Sequence, residues 1–386
     1  MLGTGTKITP TDITVNKIQN GNLLLPFWFI GEIMSITKKL FGTHRGCEIH
    51  KYTLTNENGM SVTLSNFGAT IISINVPDRN GNVADVIGGY DDLQSYIEAD
   101  GYQGAIIGRV GNRICKGKFT LDGVDYSMYI NNGPNHLHGG KEGFDKKVWQ
   151  VLTLDESAEP SIKFFLISKE GEEGYPGNLS VTVTYSLSKE GALSIRYEAI
   201  TDKRTIINLT NHTYFNLGGY DSGKIYDHEL WLDADTYLPT DETLIPTGEI
   251  RSVEGTPFDF RIPKAIGRDI KLHDNDLIIA GGYDHCINFV GGESDAPKLR
   301  AKVVHKQSGR VMEMLTNQPC VQFYSGNFLT NEKYPFKNNC SQNIQMAFCL
   351  ETQHMPDAIN HPNFTNVILE PKDKYDYTTI YKFYAV

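Results

Sequence analysis

Short runs in which apolar and polar residues alternate recur every ten to fifteen positions from about residue 47 onward. That spacing narrows the possible folds more than any other feature of the chain. Residues 193–200 read Leu-Ser-Ile-Arg-Tyr-Glu-Ala-Ile, and 179–187 read Leu-Ser-Val-Thr-Val-Thr-Tyr-Ser-Leu. A period of two puts the apolar side chains of each run on one face, as in a half-buried strand. Turn signals such as Asn58-Gly59 and Asp122-Gly123 separate the runs, because these residues tolerate the positive φ of a tight hairpin. No helical rhythm alternates with the strands, so a parallel βαβ sheet is excluded. Many short strands must then cover one another, which predicts an all-β sandwich or barrel. No proline-rich linker divides the chain after residue 40, so residues 41–386 are expected to form a single domain. Residues 1–40 lack sustained alternation and are expected to be a flexible N-terminal extension, with the apolar run 23–30 as its one candidate docking segment.

Charge limits the partners. The formal net charge is −10, whereas nucleic acids and anionic membrane surfaces select basic patches. No stretch approaches the ~20 apolar residues of a membrane span. The expected partner is a neutral small molecule, and a monomer is expected. The six cysteines form no C-x-x-C pair, so free thiols are expected rather than a zinc cage. The run 23–30 is interrupted by Pro26 and preceded by more than twenty mostly polar residues, unlike a secretion signal. Two glycosylation sequons, at Asn208 and Asn211, fall inside the candidate site. The protein is therefore expected to be cytoplasmic.

Five constellations carry candidate chemistry. Residues 208–219 surround His212 with Asn211, Thr213, Tyr214 and Asn216, an unusual density of hydrogen-bonding groups around one imidazole. Gly108-Arg-Val-Gly-Asn-Arg-Ile114 offers Asn112 and Arg113 in a glycine-spaced loop, either solvated or aimed at ligand hydroxyls. Asn135-His-Leu-His-Gly-Gly140 places His136 and His138 two apart, on one face if the segment is a strand. No acidic or Cys residue stands close by to complete a metal set, so hydrogen bonding to a polyol is expected instead. Asp284, in Gly281-Gly-Tyr-Asp-His-Cys286, suits a cap, a turn or a hydroxyl acceptor. Gln322 and Tyr324 alternate with Val321 and Phe323. Glu351 ends an apolar strand, where desolvation should raise its pKa toward that of a working base, unless an ion pair holds it. With no serine nucleophile elbow and no phosphate loop, this inventory suits proton transfer on a neutral polyhydroxylated substrate.

Several of these motifs, in this order, resemble the aldose 1-epimerase family, also called galactose mutarotases. They are Gly108-Arg-Val-Gly-Asn-Arg-Ile114, Asn135-His-Leu-His-Gly-Gly140, Gly143-Phe-Asp145, Asn211-His-Thr-Tyr-Phe-Asn-Leu217, Tyr283-Asp-His285, Gln322-Phe-Tyr-Ser-Gly-Asn-Phe328 and Leu350-Glu-Thr-Gln353. The resemblance covers roughly residues 45–386. It implies a large antiparallel β-sandwich of the galactose mutarotase-like supersandwich kind, with an open cleft. It also implies cofactor-free interconversion of the α and β anomers of free aldohexoses such as galactose and glucose. By motif, His212 corresponds to the general acid, Glu351 to the general base and His138 to the second site histidine. Arg113 corresponds to the arginine on the sugar, and Asp284 to a carboxylate on its hydroxyls. Asn112, Gln322 and Tyr214 line the cleft. A neighbouring carboxylate, Asp284 or Glu351, is expected to hold His212 protonated near neutrality. A hexose-6-phosphate 1-epimerase and a non-catalytic sugar-binding protein on the same fold are the alternatives.

Overall fold

Leu179–Leu187 shows how the alternation becomes architecture. Its apolar residues, Leu179, Val181, Val183, Tyr185 and Leu187, are fully buried, while the Ser and Thr residues between them are half-exposed. Each such burial contributes about 1.5–3 kcal/mol, so a one-residue register slip would invert the whole face. The computed structural model describes residues 35–156, 159–330 and 332–386. The apolar run 23–30 and most of the expected extension lie outside the described residues. The first described strand, Ser35–His44, begins within the stretch assigned to that extension and pairs along Cys47–Thr55.

Three sheets of five or more strands carry the fold. Ser35–His44, Cys47–Thr55, Ser61–Ser65, Ile71–Pro77 and Val83–Asp85 form a five-stranded meander. A nine-stranded sheet runs in the spatial order Gln150–Asp155, Ser161–Ser168, Leu179–Leu187, Ala192–Thr201, Tyr375–Ala385, Arg310–Thr316, Lys298–His305, Glu229–Leu232 and Lys264–Ala265. Every ladder between these strands is antiparallel. One core cluster joins the meander to the large sheet through Leu54, Val62, Ile74, Phe164, Val183, Ile195 and Tyr381. Among the described residues the α-helices are two short ones, Leu93–Glu98 and Asn275–Ala280. The expected large antiparallel β-sandwich is the observed fold.

The third sheet positions the chemistry. Its order is Arg251–Ser252, Ala234–Tyr237, Asp284–Phe289, Cys320–Tyr324 and Cys349–Gln353. Gln322 pairs across the strands with Cys286 on one side and Glu351 on the other, and Asp284 pairs with Tyr324. Paired residues share a face and so do residues two apart. Asp284, Gln322, Tyr324, Cys349 and Glu351 therefore rise from one side of this sheet.

Candidate active site

Two short ladders bring the remaining groups over that face. Thr210–Asn211 pairs with Ile106–Ile107 and ends at His212, whose backbone is pinned on both sides, N–H to the Ala105 carbonyl and C=O to the Gly104 N–H. His136–Leu137 pairs with Arg113–Ile114 and ends at His138, whose φ of 51° breaks the strand. That left-handed residue explains a departure from the sequence expectation. His136 and His138 do not share a face. His136 is fully buried away from the cleft, with Nδ1 2.7 Å from the Tyr129 carbonyl and Nε2 2.6 Å from the Tyr175 hydroxyl. His138 alone enters the cleft.

The cleft holds about 690 Å³ and is lined by all eight residues singled out from the sequence: His138, His212, Glu351, Arg113, Asn112, Asp284, Gln322 and Tyr214. That volume suits a small ligand. Arg113 donates from Nε to Asn132 Oδ1 at 3.0 Å, which leaves the outer edge of its guanidinium for a ligand. Arg109, the other arginine of the motif, is buried beneath the sheets and donates to the carbonyls of Ser168, Pro176 and Gly177. Gln322 donates to Asp284 Oδ1 at 2.7 Å, so its amide orients the carboxyl. Tyr102, flanked by Gly101 and carrying a φ of 58°, was not singled out from the sequence. Its ring stands 4.7 Å from His138 and 5.9 Å from His212, and only the backbone geometry of its loop brings it there.

His212 and Glu351 face each other with Nε2 and Oε1 3.6 Å apart, both almost completely buried. The rings of Tyr214, His138 and Tyr102 crowd the imidazole. Burial therefore overrides the carboxylate neighbour and pushes His212 down to about 4, contrary to the expectation that it is held protonated. Burial pushes Glu351 well above the usual carboxylate range; the nearby Asp284 raises it further and Arg113 opposes. Asp284 is raised by burial as well, against Arg113 and its bond from Gln322. Glu351 Oε2 has no hydrogen-bond partner. Burial thus favours the pair as neutral imidazole and carboxylic acid, with one proton between them. Moving that proton from Glu351 to His212 gives the imidazolium–carboxylate form without exchange with solvent.

His138, His212 and Glu351 present ligand atoms within 4.8 Å of one another, close enough to ask whether they hold a metal. The tautomer argues against it. The Asn112 N–H donates to His138 Nδ1 at 3.1 Å, and the His138 N–H returns a bond to the Asn112 carbonyl. With Nδ1 accepting, Nε2 must carry hydrogen. It then donates to a ligand and has no lone pair for a cation.

A sequence model of the aldose 1-epimerase family matches residues 50–382. The chain belongs to the aldose 1-epimerase family. It is 45% identical over 354 residues to galactose mutarotase of Bos taurus, covering 91% of this chain and 99% of that protein. It is 38% identical over 335 residues to aldose 1-epimerase of Escherichia coli strain K12, covering 86% and 94%. The crystal structure of galactose 1-epimerase from Lactobacillus acidophilus aligns with a TM-score of 0.80 at 28% identity, covering 91% of this chain and 99% of that one. An aldose epimerase homologue from C. elegans aligns at 0.77 with 30% identity, covering 86% and 98%. The Gly-rich arginine loop and the segments bearing His138, His212, Asp284, Gln322 and Glu351 all fall inside the span that the family model matches.

Proposed function

We propose that the protein is an aldose 1-epimerase that interconverts the α and β anomers of free aldohexoses, galactose and glucose among them. The observation that carries this reading is the facing pair His212 and Glu351, two proton carriers with one proton between them in a cleft of monosaccharide scale. In the imidazolium–carboxylate form, Glu351 takes the proton of the anomeric hydroxyl while His212 Nε2 protonates the ring oxygen. The bond from C1 to the ring oxygen breaks and the C1 carbonyl forms. Rotation about C1–C2 and the reverse transfers close the ring on the other face. Proton count is conserved, and no redox partner or cofactor is consumed. Ring opening also returns the pair to neutral imidazole and carboxylic acid, the form that burial favours. Desolvation of the pair therefore assists the opening step. Each positioned acid or base contributes ~10²–10⁴-fold. His138 Nε2–H and the Arg113 guanidinium stabilise developing negative charge on oxygen. Asp284, held by Gln322, accepts from sugar hydroxyls, and Asn112 and Tyr214 complete the wall.

The cleft charge favours a neutral sugar over a phosphorylated one. Among its described lining residues, Arg113 is the one Arg or Lys, against the carboxyl groups of Asp100, Glu242, Asp284 and Glu351. A sugar phosphate dianion has no second cation to meet. Asn208 and Asn211 are buried in the fold. No helix of the described residues is long and apolar enough to cross a membrane. Polarimetry on fresh α-D-galactose, α-D-glucose and glucose 6-phosphate tests the reading. Rapid relaxation of the two free sugars is expected. No acceleration, or a preference for the phosphate, would overturn it.

A further inference from the structure

The two cleft imidazoles are held from behind by different partners. A backbone N–H donates to Nδ1 of His138. Behind His212, at 3.5 Å from Nδ1, stands the thiol of Cys349. Cys349 begins the strand that carries Glu351 two residues on, so both side chains rise from the same face and meet the same ring. It is fully buried, and the proton-transfer scheme above does not use it.

We infer that Cys349 is the positioning residue of His212, its sulfur accepting the Nδ1–H bond so that Nε2 is the only nitrogen that gains and loses the catalytic proton. This inference rests on the epimerase reading of the same cleft. Glu351 Oε1 lies 3.6 Å from Nε2, beyond hydrogen-bond reach but on the side from which the ring receives its proton, so Nε2 must keep its lone pair. A neutral imidazole with Nε2 accepting carries its hydrogen on Nδ1. That hydrogen points to Sγ. Burial keeps the Cys349 thiol well above its ordinary range, so it stays a neutral S–H through the cycle. A neutral partner has a chemical consequence. The aspartate that commonly holds Nδ1 of a catalytic histidine stabilises the imidazolium and makes it a weaker acid. Sulfur fixes the ring without that charge, so the imidazolium stays acidic enough to protonate an ether-like ring oxygen. The cleft then presents complementary tautomers, a permanent Nε2–H donor on His138 and a proton-accepting Nε2 on His212.

The test uses full-length protein labelled with ¹⁵N at histidine, with His212 assigned by its loss in His212→Gln. Long-range ¹H–¹⁵N spectra of sugar-free protein at pH 7 report the tautomer without any turnover. The wild type is expected to show His212 protonated at Nδ1. Cys349→Ala leaves that hydrogen buried and unpaired; it should shift the ring toward the Nε2–H tautomer and lower kcat about tenfold, with KM changed less than twofold. Cys349→Ser keeps a hydrogen-bonding atom behind the ring and should restore both the tautomer and most of kcat. Cys286→Ala, in a buried free thiol two residues from Asp284, should leave the His212 tautomer unchanged. An Nε2–H tautomer in the wild type, or an unaltered tautomer and kcat in Cys349→Ala, would overturn the inference. Failure of the wild type to accelerate anomer exchange would instead remove the epimerase reading, and the spectra would still judge the Cys349 contact.

Discussion

Replacing Glu351 by Gln should stabilise the sugar-free protein at neutral pH while removing its proposed base. The carboxyl is 2% exposed, and its Oε2 has no hydrogen-bond partner. Its pKa in the folded protein lies well above the unfolded value of about 4.3. For a group raised on folding, the favourable contribution is complete below the unfolded pKa and is lost as pH rises toward the folded one. Across that window the unfolded chain releases a proton that the folded chain keeps. The wild type should lose about 1.4 kcal/mol per pH unit relative to the Gln variant, which cannot titrate. As pH rises from 5 the gap should therefore widen in favour of Glu351→Gln. Urea unfolding of both proteins at pH 5, 6 and 7 measures it, with equal m-values confirming that the unfolding reaction is the same. A gap that stays constant across this range would mean that Glu351 is already ionised in the folded protein and that burial does not raise it.

The one-proton pair also shapes the rate. Between the His212 value of about 4 and the raised Glu351 range the proton count is constant, so kcat/KM should fall about tenfold per unit below about pH 4 and level off above it; an inflection near the free imidazole value of about 6.5 would show His212 titrating alone. Arg113→Lys cannot both bond Asn132 and present a planar edge to the sugar; it should raise KM about tenfold in initial-rate polarimetry, and an unchanged KM would remove Arg113 from the sugar contact. Ile195→Ala empties a fully buried position of the large sheet; it should cost about 2–5 kcal/mol in urea unfolding while leaving KM unchanged.

The strands were readable in the sequence because their signal is local. In 179–187 and 193–199 the apolar residues at a spacing of two tell which face they occupy, and the structure buries those positions, while Ile200, out of that period, is exposed. The pairing of Gln322 with Glu351 is a register between separate strands, which no local pattern encodes. Most of the eight cleft residues stand in polar or glycine-rich breaks in the alternation, whereas Gln322 and Glu351 lie inside strands and show themselves as polar groups among apolar neighbours. What escaped were features set by the third dimension. His136 and His138 look equivalent at a spacing of two until the left-handed φ of His138 turns one into the core and the other into the cleft. Tyr102 carries no signal beyond a neighbouring glycine. Cys349 reads as one more small apolar residue between Phe348 and Leu350, and its contact with His212 depends on a residue 137 positions away. The protonation of His212 was misjudged for a related reason. A nearby carboxylate is visible from motifs, whereas the ring of aromatic side chains that dehydrates the pair is not.

The central claim is that His212 and Glu351 work as one acid–base unit. The direct test is the decay of optical rotation of fresh α-D-galactose with wild type, His212→Gln, Glu351→Gln and the double variant. Each single substitution should lower kcat at least ~10²-fold, and the double variant should fall no more than about tenfold below the slower single one, because the groups act together. A single variant that relaxes the sugar within tenfold of the wild-type rate would contradict the claim.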